Sequence, residues 1–477
     1  MKFLKFWLPV AAISCGFTAA AYAAQCECTF DDLYNDLDER SLDQVIELLN
    51  SKRTIGLDEK APNMAISGNI RTDWQHVNEK IDGVKVRGGE ARNCDGDRIG
   101  RNLFNVQFNL MLDYRCDRSW GVAHVEFKNR MGIQQNDGKG CAPQQAKANT
   151  ADSNGNDSNI LPGNSREQTN KTDCNQFANQ YMYGSGEKSG LALRKAYWGY
   201  NISADGNSRF DIEVGRRRLH DVFDSRIQFL AQFDGVLFRY ASQLDCADAY
   251  INGGAFVVDE RVNHWGGIFE AGVLNLCDWG FDFKYSFVYW HKQGRNRCDE
   301  RNAIGSRFKN SQWTAIYHLD PEILCAPASL YGAVLVNHAA KKIPYSSHKR
   351  NLGWYIGARV GEVCGAGDWA VDFNWQSVAA QAIADNDVAG IGRGNLRKSV
   401  ITANNGTPGT ATAPMIESDP KNARGNANYQ GFKLIGLYGV TDNLSLEASF
   451  QWARQQSKSV GGPMKYSNFK VEAIYAF

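Results

Sequence analysis

K-Y-S-N-F-K-V-E-A-I-Y-A-F, residues 465–477, carries the architecture in its alternation. Taken two at a time from the end, one face holds Phe477, Tyr475, Ala473, Val471 and Phe469. The other holds Ala476, Ile474, Glu472, Lys470 and Asn468. Successive side chains of a strand point to opposite faces, so the segment has one apolar face and one largely charged or amide face. Nothing follows Phe477, so the strand ends on its own aromatic residue. A membrane-crossing strand needs about 9–11 residues, with aromatic side chains at the interfaces. This segment fits that pattern, and a soluble edge strand ending in Phe is the alternative.

The start of the chain points the same way. Lys2 and Lys5 precede an apolar run from Phe6 to about Ala24 that ends A-Y-A-A-Q. A basic region, an apolar region and small residues at a cleavage site are the pattern of a secretory signal, so residues 1–24 are expected to be removed. Cys15 lacks the usual Leu three positions before it, which argues against a lipoprotein. Without Lys2 and Lys5 the chain has 51 basic and 52 acidic residues. Balanced charge argues against nucleic acid as a partner. No later stretch approaches 18 consecutive apolar residues, so no α-helical span is expected. Tyr, Phe and Trp total 55 and Gly 46, with only 11 Pro, a composition suited to many alternating strands.

Residues 25–60 read as a short acidic helical arm. Phe30, Leu33 and Leu37 make one stripe, and Leu42, Val45, Ile46 and Leu49 another. Thr29-x-x-Asp32 and Ser41-x-x-Gln44 supply N-cap signals. The arm reads either as a solvated periplasmic element on a barrel rim or as a short coiled coil between protomers. From 61 to 477 the pattern is of strands. Phe104, Val106, Phe108, Leu110, Leu112 and Tyr114 alternate with Asn105, Gln107, Asn109, Met111 and Asp113. Ala123, Val125 and Phe127 alternate with His124, Glu126, Lys128 and Arg130.

Sixteen such segments are predicted: 64–76, 102–114, 120–131, 190–202, 208–219, 234–243, 246–258, 264–276, 279–292, 308–319, 327–340, 350–362, 367–378, 428–440, 443–455 and 465–477. Short connections alternate with longer ones, and the parity weakens only at 259–263, 341–349 and 456–464. An even strand number, short turns on one side and longer loops on the other predict an all-β fold: an antiparallel transmembrane β-barrel. The loops 132–189 and 379–427 are polar and are expected outside in solvent.

The C-terminal strand resembles the closing strand of Gram-negative outer-membrane barrels. Leu193-Arg-Lys-Ala-Tyr-Trp-Gly-Tyr200, followed by Phe210-Asp-Ile-Glu-Val-Gly-Arg-Arg-Arg218, resembles a hairpin of the general bacterial porins. That match covers about 30 residues, with weaker similarity across 102–131. The abundance of cysteine is also similar to that of porins from chlamydiae and their environmental relatives. The resemblance implies a bacterial outer-membrane pore for passive diffusion of ions and small hydrophilic solutes. It implies contact with outer-membrane lipid, recognition of the last strand by the barrel-assembly machinery, and homo-oligomers. It further implies that basic residues of this hairpin line the pore and face acids on an inward-folded loop. By position Arg194 and Arg216 match the family's arginines. Strand parity, however, points Asp211, Glu213 and Arg217 inward, and Arg216 only if the strand bends or bulges at Gly215. Arg218 is either pore-lining or a charged strand end. Residues 220–233 stand where the constricting loop belongs and offer Asp221, Asp224 and Arg226. That loop is shorter than the family's, and 132–189 is the alternative plug.

Other inward candidates are Arg71, Asp73, Asp113, Glu126, Lys128, Arg130, Arg239, Lys470 and Glu472. A wall of mixed sign predicts weak ion selectivity.

The cysteines divide by rim. Cys26, Cys28, Cys116, Cys246, Cys277, Cys325 and Cys364 are expected near the periplasmic side, and Cys94, Cys141, Cys174 and Cys298 in external loops. Cys141 is expected to pair with Cys174 within one loop, leaving Cys94 and Cys298. Seven thiols on one side leave at least one over, and cross-links to other envelope proteins are expected. A non-reducing gel that shows only monomer argues against those cross-links. Cys26-x-Cys28 has no His or second pair to complete a zinc site, so no metal or other cofactor is expected. The eight histidines are scattered, and neither Gly-x-Ser-x-Gly nor His-Glu-x-x-His occurs, so an enzyme is not expected. The rival to a pore is a structural or adhesive barrel cross-linked in the envelope.

Overall fold

The computed structural model describes residues 55–56, 63–81, 84–85, 101–131, 189–205, 207–259, 264–291, 308–320, 324, 326–340, 349–384, 387–391, 428–457 and 464–477. Sixteen strands form one closed antiparallel sheet. They are β1 (Met64–Ile81), β2 (Asn102–Cys116), β3 (Ser119–Met131), β4 (Ser189–Ala204), β5 (Ser208–Arg218), β6 (Gln232–Leu244), β7 (Ala247–Asp259) and β8 (His264–Leu274). The second half is β9 (Phe281–Trp290), β10 (Phe308–Leu319), β11 (Ala328–Asn337), β12 (Leu352–Glu362), β13 (Trp369–Val378), β14 (Tyr429–Gly439), β15 (Leu444–Gln455) and β16 (Met464–Ala476). Each strand pairs with its neighbours in the chain, and β16 returns to β1, so every barrel strand is paired on both sides. All sixteen expected segments are strands, with boundaries moved by five residues at most.

Two short pieces extend the sheet. Ile55 and Gly56 pair with Ile66 and Ala65, and Val84 and Lys85 pair with Ile81 and Lys80. Ile55–Gly56 is therefore extended where a helical arm was expected; residues 1–54, with the signal segment and the rest of that arm, lie outside the described residues, as do 132–188.

The pleat sorts the side chains as the alternation predicts. On β16, Phe469, Val471 and Tyr475 are exposed on the outer face, while Glu472, Ile474 and Ala476 are buried on the inner one. On β13, Val371 and Phe373 point out, and Asp372, Asn374 and Gln376 point in. The outer face carries aromatic residues near both rims: Phe281, Tyr317, Tyr438 and Tyr475 at one, and Trp265, Tyr289, Trp354, Trp375 and Trp452 at the other. Phe281 stacks on Tyr317 at 4.5 Å, and Trp265 lies 5.5 Å from Tyr289.

The seam between β1 and β16 is tight. Gly68 and Phe477 exchange two backbone hydrogen bonds of 3.0 Å, and the Phe477 ring stacks 6.0 Å from Phe108. A Cβ on Gly68 would stand 2.6 Å from the Asn109 carbonyl oxygen and 2.7 Å from the Phe477 ring. Glycine is therefore required here by close approach. Gly68→Val is expected to force the seam apart, costing about 1–3 kcal/mol as an overpacked site. A gel of unheated protein checks this: the variant should show a smaller fraction of the compact, heat-modifiable species.

Short connections gather at the rim that bears Phe477, as the parity requires. Cys116, Cys246, Cys277 and Cys364 all lie in or beside those turns. The remaining cysteines, including Cys141 and Cys174, lie outside the described residues. At the opposite rim two connections leave the surface and fold into the barrel. They are 219–231, between β5 and β6, and the described part of 379–391, after β13.

Candidate pore constriction

The segment 219–231 combines an apolar underside with charged positions, and that pattern explains why it folds inward. Leu219, Val222, Phe223, Ile227 and Phe229 are each buried to 1% exposure or less. Leu219, Val222, Phe223 and Phe229 pack on the inward side chains of β6 to β10, among them Phe233, Leu237, Phe256, Ile268, Trp290 and Phe308. Ile227 reaches a second cluster with Leu335, Tyr355 and Tyr429. Burying side chains of this size stabilises the inward position by about 1.5–3 kcal/mol each. The Leu219 N–H donates to the Ala231 carbonyl at 3.0 Å, closing the base of the loop.

The polar positions then grip the wall. The Ser225 hydroxyl donates to Gln312 on β10 at 2.8 Å and accepts from the Ile227 and Gln228 N–H groups. Gln312 in turn donates to the Asp224 carbonyl at 3.0 Å. The Asp224 carboxylate lies 3.5 Å from the Lys284 ammonium on β9. Arg226 reaches farthest. Its guanidinium donates to Asp372 on β13 at 3.1 Å and lies 4.7 Å over the Tyr331 ring on β11. The Tyr331 hydroxyl donates to the other oxygen of Asp372 at 2.6 Å. Burial opposes the Arg226 charge, but Asp372 more than restores it and holds the guanidinium protonated.

At the other end, Asp221 faces a basic wall. Lys195 stands 3.2 Å away and His220 3.6 Å. Burial alone would raise the Asp221 carboxyl, yet Lys195, His220, Arg218 and Arg217 hold it well below the usual carboxylate range. Arg217 pairs with Glu213 and lies 4.3 Å over the Tyr197 ring. Arg239 lies 3.7 Å from the same Glu213. Arg194 pairs with Glu126, and Arg218 approaches that carboxylate at 3.9 Å. Asp211 accepts from Arg209 at 3.1 Å and from Asn201 at 2.7 Å.

A β-bulge makes this wall denser than alternation allows. The β3–β4 register shifts between His124, opposite Lys195, and Val125, opposite Leu193, leaving Arg194 without an opposed partner. An extra residue lets two neighbours serve one face. Arg194 and Lys195 therefore both meet inward acids, Glu126 and Asp221.

The segment 379–391 is the second inward element. Its residues Ala382, Ile383, Ala384 and Val388 are buried, although 379–427 as a whole was expected in solvent. The run A-A-Q-A-I-A is apolar enough to pack, and Ile383 and Val388 join Ile227 in one cluster. The Ala389 N–H donates to the Ile227 carbonyl at 2.9 Å, and the Leu230 N–H to the Asp387 carbonyl at 3.3 Å. The Asp387 carboxylate accepts from the Ala231 N–H at 3.1 Å. Its Oδ2 is buried with no hydrogen-bond partner among the described residues. Burial, partly offset by the Ala231, Phe229 and Leu230 N–H groups, pushes this carboxyl up to about 7. Phe229, beside this carboxyl, takes a left-handed φ of +75°, a conformation rare for a bulky side chain.

The sequence-predicted residues divide cleanly. Glu126, Arg194, Asp211, Glu213, Arg217, Asp221, Asp224 and Arg239 meet on the inner face or on the inward loop, as described above. Lys128 also faces inward and donates to Gln107 at 3.3 Å. Arg130 pairs with Asn105 in the ladder, and its side chain lies outside the described residues. Arg216 is a correction. Gly215 has φ +136° but stays in register with Gly235, so the strand does not flip. Arg216 keeps the outward parity of Ile212 and Val214 and makes a two-pronged, half-exposed pair with Asp234 at 2.7 Å. Alternation missed Lys195, because a bulge breaks the period. Asp372, Gln312 and Lys284 stood in clean alternating strands and were readable there.

No protein-family model and no curated protein matches the chain. Among solved structures, its fold is similar to that of OprB from Pseudomonas putida, at 10% identity and a TM-score of 0.43, covering 87% of this chain and 93% of that one. A porin of Rhodopseudomonas blastica is similar at 9% identity and a TM-score of 0.40, covering 87% and 100%. At these values the likeness decides nothing, and the functional reading rests on the wall and loops themselves.

Proposed function

We propose that this protein is an outer-membrane porin, a water-filled channel for passive diffusion of ions and small hydrophilic solutes. The observation that carries the reading is a closed sixteen-stranded barrel, apolar outside and charged inside, into which the loop 219–231 folds. An open sheet with so apolar an outer face would aggregate in water, whereas a closed barrel satisfies every strand inside a bilayer. Aromatic residues near both rims suit the two membrane–water interfaces. Barrels of this strand number are wide enough to leave an aqueous path beside an inward loop.

In this reading the paired acids and bases on the inner face and loop set ion preference, and their mixed sign gives weak selectivity. Residues 1–24 act as a signal peptide, and 25–60 as a periplasmic arm. The Phe477 strand is recognised during barrel assembly. Homo-oligomers and disulfide links to other envelope proteins belong to the same proposal.

Single-channel recording of the refolded chain in a planar bilayer under a salt gradient tests it. Stepwise, long-lived conductance is expected, with a reversal potential close to zero. A folded barrel without conductance would overturn the pore and leave a structural or adhesive role.

A further inference from the structure

On the rim of short turns, two cysteines from different hairpins meet. Cys246 lies in the two-residue turn between β6 and β7, and Cys277 in the turn between β8 and β9. The Cys277 N–H donates to the Cys246 carbonyl at 2.5 Å. In a hydrogen-bonded strand pair such a bond goes with α-carbons about 5.5 Å apart. A disulfide spans about 4.4–6.8 Å between α-carbons.

The backbone of the second turn adds an independent observation. Asn275 and Cys277 both take left-handed conformations, with φ of +48° and +49°. Asparagine visits that region readily; cysteine does so at a cost. Cys246 is exposed and Cys277 half-buried, so an oxidant reaches the first thiol directly.

We propose that Cys246 and Cys277 form an intrachain disulfide that staples the β6–β7 hairpin to the β8–β9 hairpin. The thiolate of Cys246 attacks the disulfide of an oxidant, here oxidised glutathione, and expels one glutathione thiolate. The thiolate of Cys277 then attacks the Cys246 sulfur of the mixed disulfide and expels the second. Two cysteine thiols lose two protons and two electrons, and one glutathione disulfide becomes two thiols. The chemistry needs an oxidising compartment at this rim, which rests on the outer-membrane reading; the test below supplies the oxidant itself and so stands apart from it.

The full chain is refolded into detergent with a glutathione redox buffer, and barrel formation is judged by gel mobility of unheated protein. Accessible thiols are blocked with N-ethylmaleimide in denaturant, and the protein is then reduced and labelled with iodoacetamide. Trypsin cleavage at Arg239, Arg261 and Lys284 releases peptides 240–261 and 262–284, each holding one cysteine. Both cysteines are expected to carry only the second label, and the unreduced digest to contain the two peptides joined. Cys246→Ser is expected to transfer Cys277 to the first label without loss of the barrel. Recovery of both wild-type cysteines with the first label, or of either joined to a third cysteine, overturns the proposal. Conductance of the same sample reads the pore separately, so the two can fail independently.

Discussion

Arg226→Ala is expected to release the inward loop from the far wall. Asp372 is fully buried and would keep only the Tyr331 hydroxyl and neighbouring amides as partners. Removing one member of a buried pair costs about 3–5 kcal/mol, because the other charge is left uncompensated. The loss falls on the loop, since β11 and β13 stay bound in the closed sheet. The amides of Leu230 and Ala389, which bond across the two inward segments, report it. Their hydrogen exchange should accelerate by roughly two to four orders of magnitude, as local opening becomes cheaper. Single-channel conductance should rise and become noisier. Replacing Asp372 together with Arg226 by a neutral pair of similar size should restore most of the protection, because the penalty lies in the orphaned charge. Unchanged exchange in the single variant would mean that apolar packing alone holds the loop.

The second large effect is a pH dependence centred on Asp387. Its carboxyl is raised from 3.8 to about 7 where it is buried against the Ala231, Phe229 and Leu230 amides. A raised value means that the latched form binds its proton more tightly than the released form. Latching is therefore strongest below pH 4, where both forms are protonated. It weakens as pH rises toward 7 and is level above that. About three pKa units correspond to roughly 4 kcal/mol across this window. Exchange of the Ala389 amide should thus be slower at pH 5 than at pH 8, after correction for intrinsic rates. Asp387→Asn should remove the slope, since an amide keeps an acceptor for the Ala231 N–H and does not titrate. Asp221 cannot substitute for it in this range: Lys195 and its basic neighbours keep that carboxyl ionised far below pH 4. A slope that survives in Asp387→Asn would assign the titration elsewhere.

The barrel was readable because its period is two and the environments on either side differ. Phe104 to Tyr114 and Lys465 to Phe477 alternate so regularly that strand, face and direction follow from spacing. The acids and bases of β5 and β6 followed from the same rule, and it correctly turned Arg216 outward where position alone turned it in. The rule fails where the backbone departs from it. One extra residue at Arg194 places two consecutive bases against inward acids, and no residue type in that stretch announces a bulge. The inward turn of 379–391 was hidden for another reason. A polar loop in water and a polar loop in a wet lumen have similar composition, and the short apolar run A-A-Q-A-I-A decides between them only once Ile227 is known to be nearby.

The reciprocal bonds between Gly68 and Phe477 have a meaning in time as well as in space. They join residues about four hundred positions apart, the most distant pairing in the sheet, so loop closure delays this contact more than any other. Until it forms, β1 and β16 each present a bare row of amides and carbonyls that another chain could capture. A ribosome that stops anywhere short of the last strand releases a molecule with two sticky flanks. Completion of the ring thus removes both flanks at a single step.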